Sequence, residues 1–238
     1  MSDFEPTLVM LIDSVSLPRH PAVAYLLLVR QYEQHEGTVT TRPGTITLVL
    51  ALLGVFGLEL ATHSAGNDAA LLKLGALPDS GELHGQYWRI ATYSFLHFNS
   101  VHLLVNALLL FWIAGILEKR MGIALTGAIY LCSVLSSAFV ILLVHGWYPK
   151  PGATVGASGG MFGLVGGTLV LSYRHAGFVG QASRLRTWLW LVLFMGFAIS
   201  FLPEISMAGH LGGLIGGPLL ASVARVRQNA SPSTAANS

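Results

Sequence analysis

The chain has 238 residues, of which 53% are hydrophobic and 10% charged, with a mean hydropathy of +0.63. Soluble domains carry about a quarter charged residues, so the composition excludes an ordinary soluble enzyme and points to an integral membrane protein with one multi-span domain. A net charge of +2 without basic runs outside the loops excludes a nucleic-acid partner, and a single cysteine, Cys132 in an apolar run, excludes an intrachain disulfide or a Cys-based metal cluster.

Residues 1–44 hold no predicted span: Ala22–Val29 is apolar but only eight residues long, where a span needs about 20. Pro21 can start a helix running through Leu28 to Tyr32, either on the membrane surface or within a cytoplasmic extension. Thr45–His63 is the first predicted span, with Glu59 near its far end at the interface and an ion-pathway role as the alternative. Ser64–Tyr93 reads as a long loop, in which Trp88 and Arg89 suit an interfacial anchor. His102–Leu117 is the second span, closed by Glu118, Lys119, Arg120 and Gly122, and Ile123–Val144 is the third. The fourth runs from Ser158 to Tyr173 and the fifth over Leu185–Leu202; a tight turn at Pro203, Glu204 and Ser206 then leads into the sixth, Gly209–Val223. The expectation is an all-α protein with six transmembrane helices over residues 45–223, a cytoplasmic extension over 1–44 and a disordered cytoplasmic tail over 224–238.

Basic residues set the orientation. Arg19, Arg30, Arg42, Lys119, Arg120, Arg174, Arg184, Arg186, Arg225 and Arg227 fall on one side, against Lys73, Arg89 and Lys150 on the other. Both termini are therefore expected in the cytoplasm, with the second, fourth and sixth spans entering from outside. Without an organellar targeting segment, the expected membrane is a bacterial cytoplasmic one.

The stretch Pro151–Gly167 carries the chemistry. Ser158 can cap the helix that follows, where free N–H groups and positive potential favour a developing oxyanion; a capping serine in a glycine-rich membrane helix is the competing reading. Gly159, Gly163 and Gly167 recur every four residues and so share a face that allows close helix contact. From Ser158 to Leu171 is 14 residues, about 21 Å of helix, short of the roughly 30 Å core. The preceding loop is thus expected to dip and hold Ser158 below the surface, facing water inside the bundle.

The orientation brings Ser158, His210, His102 and Asn106 to a similar depth on the outer side. Each alone could be an interfacial polar group; convergence within spans points to function. Ser158 is the candidate nucleophile and His210 its general base, then acid. No acidic residue offers itself as a third member, so a dyad is expected. Gly213 and Gly217 would let the sixth span pack on the glycine face of the fourth, and Phe162 could stack on the imidazole. His102 and Asn106, four apart, share a helix face and with the Ser158 amide form a candidate oxyanion hole. Gly156-Ala-Ser158-Gly-Gly160 also fits a nucleophile elbow, but that motif needs a strand and an α/β sheet. His97 and His102 sit about 140° apart on a helix, which argues against a metal site.

Together these residues resemble the rhomboid intramembrane serine proteases: Trp88-Arg89, His97, His102-x-x-x-Asn106, Glu118-Lys119-Arg120-x-Gly122, Gly156-Ala-Ser158-Gly159 and His210-x-x-Gly213-x-x-x-Gly217. The resemblance covers roughly Thr45–Val223. It implies a six-helix rhomboid-like bundle that hydrolyses peptide bonds in or near transmembrane segments of other membrane proteins. It also implies a Ser158–His210 dyad, His102, Asn106 and the Ser158 amide at the oxyanion, no cofactor, and a structural Glu118/Arg120 pair at the cytoplasmic end of the second span. The alternative on the same scaffold is a rhomboid-like protein that binds transmembrane clients without cutting them. Gly209 stands where many members have alanine and Phe162 where some have tyrosine.

Overall fold

The computed structural model describes residues 42–175, 182–202 and 205–224; the expectations for the first 41 residues, for the turn at 203–204 and for the tail from 225 lie outside the described residues. The elements are α1 (Pro43–Ala61), α2 (Asp68–Leu74), β1 (Leu77–Pro78), α3 (Arg89–Thr92), a 3-10 turn (Tyr93–Phe95), α4 (Ser100–Met121), α5 (Ile123–Trp147), β2 (Ala153–Thr154), α6 (Ser158–Arg174), α7 (Ala182–Ile199) and α8 (Met207–Val223). Three of them, α1, α4 and α5, are long and apolar enough to cross a membrane, while α8 is apolar but only 17 residues long.

Local chemistry sets the ends. Pro43 opens α1, its fixed φ suiting a first helical turn. The Asn67, Asn99 and Ser206 side chains accept from Ala70, His102 and Gly209 N–H and so cap α2, α4 and α8. Gly122, at φ +85°, is the single residue between α4 and α5. The expected loop over Ser64–Tyr93 is corrected: it holds α2, β1 and α3, and β1 pairs antiparallel with β2, Leu77 opposite Thr154 and Pro78 opposite Ala153.

The centre of the bundle is the packing of α8 against α5 and α6. The run His210-Leu-Gly-Gly-Leu-Ile-Gly-Gly217 gives α8 two adjacent glycine stripes. Gly213 and Gly217 lie against the backbone carbonyls of Gly159 and Gly163 on α6, while Gly212 and Gly216 lie against the backbone of α5 at Ser136, Ser137 and Cys132. Cys132, half-buried, donates to the Gly216 carbonyl at 3.5 Å. On α6, Gly159, Gly163 and Gly167 also face Ser137, Ser133 and Ile129 of α5. Such close approach replaces lipid contacts by dispersion between backbones, which is what holds helices together where no hydrophobic effect operates.

Two acidic residues tie α1 to its neighbours, and the first corrects an expectation. Glu59 does not reach an interface: it is 0% exposed and its Oε1 accepts the His97 N–H at 3.0 Å. Glu118 turns to α1, where Oε1 accepts from Gly44 N–H at 2.9 Å and Oε2 from Thr45 N–H at 2.7 Å and Thr45 Oγ1 at 2.6 Å. A carboxylate from α4 thereby satisfies the free N–H groups at the positive end of α1.

Candidate active site

Ser158 begins α6 but does not cap it. Ala157, in a right-handed helical conformation, is the residue before the helix, and no side chain caps that end. The absence of a cap leaves the first N–H groups of α6 directed at the space around Ser158.

That space is deep relative to α5. Gly159 faces Ser137, and α5 continues ten residues beyond Ser137 to Trp147, about 15 Å of helix. The chain from Tyr148 to Ala157 covers that drop, strapped along its way to the segment around β1. Asp79 N–H donates to the Gly152 carbonyl at 3.1 Å and Lys150 N–H to the Asp79 carbonyl at 3.0 Å. The buried Asp79 carboxylate accepts from Thr154 Oγ1 at 2.6 Å and faces His145 Nδ1 at 3.1 Å and Lys150 Nζ at 3.6 Å. Nearer the site, Gly156 N–H donates to the Tyr93 carbonyl at 3.0 Å, and Tyr93 Oη donates to the Val134 carbonyl of α5 at 3.0 Å.

Ser158, His210, His102, Asn106 and Phe162 line one cavity of about 970 Å³. His210, on the second turn of α8, is 3% exposed. The Phe162 ring stacks on its imidazole, with centroids 4.1 Å apart and planes 12° from parallel. Phe162 is itself backed by Gly196 of α7, where a Cβ would fall 2.6 Å from its Cζ. The edge of the imidazole meets a hydroxyl: His210 Nδ1 and Ser200 Oγ are 2.6 Å apart, and Ser200 Oγ donates to the Gly196 carbonyl at 2.7 Å. Among the described residues, no hydrogen bond joins the Ser158 hydroxyl to the His210 ring; catalytic contacts of this kind are often long in a site without substrate.

His102 and Asn106 come from one face of α4 and meet the backbone of Gly156. A Cβ on Gly156 would sit 2.8 Å from His102 Cε1 and Nε2 and 3.9 Å from Asn106 Nδ2. Gly156 also has φ +126°, a conformation that favours glycine. His97 precedes α4 rather than lying on it, so the helical spacing argument fails there: its ring meets His102 edge to face at 5.1 Å. Its Nδ1 is 3.2 Å from the Phe95 carbonyl. Burial, and then the neighbouring His102, push its pKa down to about 3, so it is neutral. Among the described residues, no group of three or more His, Cys, Asp or Glu side chains is placed to hold a metal.

Trp88 and Arg89 are not among the residues lining the cavity. The Arg89 guanidinium donates to the Leu72 and Ala76 carbonyls and to Gln86 Oε1, and packs on the Trp88 ring at 4.8 Å. It clasps the C-terminal end of α2. Glu118 and Arg120 are at the opposite end of α4 from His102.

Sequence reasoning missed Ser200 and the Asp79 strap. Ser200 lies ten residues before His210, just past the end of α7, and carried no motif. Asp79 had only its place in a polar loop.

A family model described as the rhomboid domain matches residues 84–227. RHOMBOID-like protein 5 of Arabidopsis thaliana is 32% identical over 158 residues, 66% of this chain and 50% of that protein. Rhomboid protease GluP of Bacillus subtilis (strain 168) is 32% identical over 172 residues, 71% of this chain and 32% of that protein. Rhomboid protease GlpG of Yersinia pseudotuberculosis is 28% identical over 185 residues, 75% of this chain and 62% of that protein. The match with the plant protein spans half of that relative's length, and the one with GluP about a third.

Proposed function

The chain belongs to the rhomboid family, an integral membrane family that includes proteases, and from that premise we propose that it is an intramembrane serine endopeptidase. The observation that carries the reading is the single cavity shared by Ser158, His210, His102 and Asn106.

Ser158 Oγ attacks the scissile carbonyl carbon while its proton passes to His210 Nε2, the ring nitrogen remote from Ser200. The oxyanion so formed is held by His102, Asn106 and the Ser158 amide. Collapse breaks the C–N bond; His210 returns its proton to the leaving amine and Ser158 keeps the acyl group. Water, deprotonated by His210, then releases the acid and restores the serine. Phe162 keeps the imidazole in plane throughout. The roles of Ser158, His210, His102 and Asn106 are carried by chemistry and by family resemblance together.

In this reading α1, α4, α5, α6, α7 and α8 are six spans, both termini are cytoplasmic, and residues 45–223 form the membrane domain between a cytoplasmic N-terminal extension and a cytoplasmic tail. The cavity opens toward the outer side. Its apolar walls include Val101 and Val105 of α4 and Leu191 and Met195 of α7, which suit a transmembrane segment as substrate. Such a segment has to unwind to reach Ser158, so small or helix-breaking residues near the cut are favoured. Relatives from plants and bacteria match alike, so family membership names an integral membrane protein but not a particular membrane.

The test is labelling by a fluorophosphonate and cleavage of a transmembrane substrate in liposomes, beside Ser158→Ala and His210→Ala. Wild type labels and cleaves, and both variants lose cleavage. A folded wild type that does neither overturns the protease reading in favour of a client-binding rhomboid-like protein.

A further inference from the structure

The His210 imidazole has two nitrogens, and only a bare Nε2 can take a proton from Ser158. Which nitrogen is bare depends on what the other one meets. His210 Nδ1 lies 2.6 Å from Ser200 Oγ, and that hydroxyl lies 2.7 Å from the Gly196 carbonyl. A carbonyl oxygen only accepts, so the single Ser200 proton goes to Gly196. The lone pairs of Ser200 Oγ then face Nδ1, which satisfies them only as N–H. Ser200 is 4% exposed and His210 3% exposed, so water does not compete for either partner.

We infer that Ser200 is a positioning residue for His210: relayed through the Gly196 carbonyl, its hydroxyl holds the imidazole as the Nδ1–H tautomer with Nε2 free toward Ser158. The inference rests on the protease reading for its catalytic meaning, but the tautomer is a property of the folded protein whether or not it cleaves. The arrangement does with a neutral hydroxyl what a carboxylate does in a triad. It orients the ring and accepts the Nδ1–H bond of the imidazolium, with less charge stabilisation. Two faces of the constraint come from one stretch of chain: α7 supplies Gly196 behind Phe162, and Ser200, the residue just after its last turn, meets the imidazole edge. The C-terminal end of α7 and the residue after it thus set both the rotation and the protonation of a base carried by α8.

The experiment has two arms on the full chain in detergent micelles. In the first, 15N-histidine-labelled protein is compared with Ser200→Ala and Ser200→Thr, the His210 signals being assigned by their loss in His210→Gln. Wild type and Ser200→Thr carry the proton on Nδ1, and Ser200→Ala shifts toward a mixture of tautomers. A wild-type ring protonated on Nε2 instead, or a tautomer unchanged in Ser200→Ala, overturns the inference. In the second arm, Ser200→Ala lowers kcat about three- to tenfold, the worth of one neutral hydrogen bond. KM stays within about twofold of wild type, and Ser200→Thr restores kcat. An unchanged kcat in Ser200→Ala beside an active wild type overturns the positioning role. A wild type that does not cleave counts against the protease reading alone, and the tautomer arm still decides the assignment to Ser200.

Discussion

Replacing Gly156 by alanine separates a backbone cost from a catalytic one. Gly156 sits at φ +126° with its N–H on the Tyr93 carbonyl, and an added Cβ would lie 2.8 Å from His102 Cε1 and Nε2. Carbon contacts are comfortable from about 3.5 Å, so the His102 ring has to retreat by roughly 0.7 Å, away from the oxyanion position. A misplacement near 1 Å in a catalytic constellation costs on the order of 100-fold. The expected loss in kcat for Gly156→Ala is therefore about 10- to 100-fold, or about 1.4 to 2.7 kcal/mol of transition-state stabilisation. The positive φ adds about 1 to 3 kcal/mol of lost stability. Gly85→Ala is the control: it has φ +80° but nothing within 4 Å of the new methyl, so it loses stability without losing rate. Cleavage kinetics and thermal unfolding in the same micelles read both effects. Equal kcat in the two variants would refute the reasoning that Gly156 is the floor on which His102 and Asn106 stand.

Two further expectations concern the scaffold. Glu118→Ala leaves the Gly44 and Thr45 N–H groups without acceptors at the start of α1, so unfolding in mixed micelles should register a loss of about 2 to 4 kcal/mol, with Glu118→Gln losing about half of that; a loss under about 0.5 kcal/mol would mean that water replaces the carboxylate. Gly213→Ala drives a methyl into the Gly159 carbonyl and should cost about 1 to 3 kcal/mol together with fluorophosphonate labelling, because α8 and His210 move off α6. Gly127→Ala, whose methyl meets nothing within 4 Å, should instead gain up to about 1 kcal/mol from helix propensity, and matching losses in the two would remove the packing argument.

The long helices were legible because their signals are local. Apolar runs of span length and the glycine periods of α6 and α8 can all be read within one stretch of chain, and the observed helix ends fall within a few residues of those expected. What failed were inferences about where a side chain goes once it leaves its own element. Glu59 looked interfacial from its position along the helix, but it is buried because the His97 N–H arrives from a segment 38 residues on. The three bonds Glu118 makes to Gly44 and Thr45 reach 74 and 73 residues back, which its place on α4 did not reveal. His97 and His102 were judged by helical angle, which does not apply to a residue ahead of the helix. Ser200 could not have been chosen: serines in apolar helices usually return their hydroxyl to their own backbone, as Ser200 does to Gly196, and only the arrival of α8 gives its lone pairs a second partner.

The division of labour among the helices follows from the kind of contact each makes. Ser158 and His210 ride on α6 and α8, whose closest approach is glycine against backbone, with few rotamers there to absorb a displacement. Their separation is set by main chain. The groups that surround them arrive differently: His102 and Asn106 from α4 across Gly156, Phe162 held by Gly196, and the Nδ1 partner from Ser200. These are side-chain contacts, and they include both walls that offer apolar surface to a substrate, α4 and α7. A substrate helix entering between such walls would shift side chains before it could shift α6 against α8. On the proposed protease reading, the nucleophile and base would stay fixed while the oxyanion groups and the tautomer would be the parts open to adjustment by what binds, which is where selectivity for a substrate can be built without moving the reacting atoms.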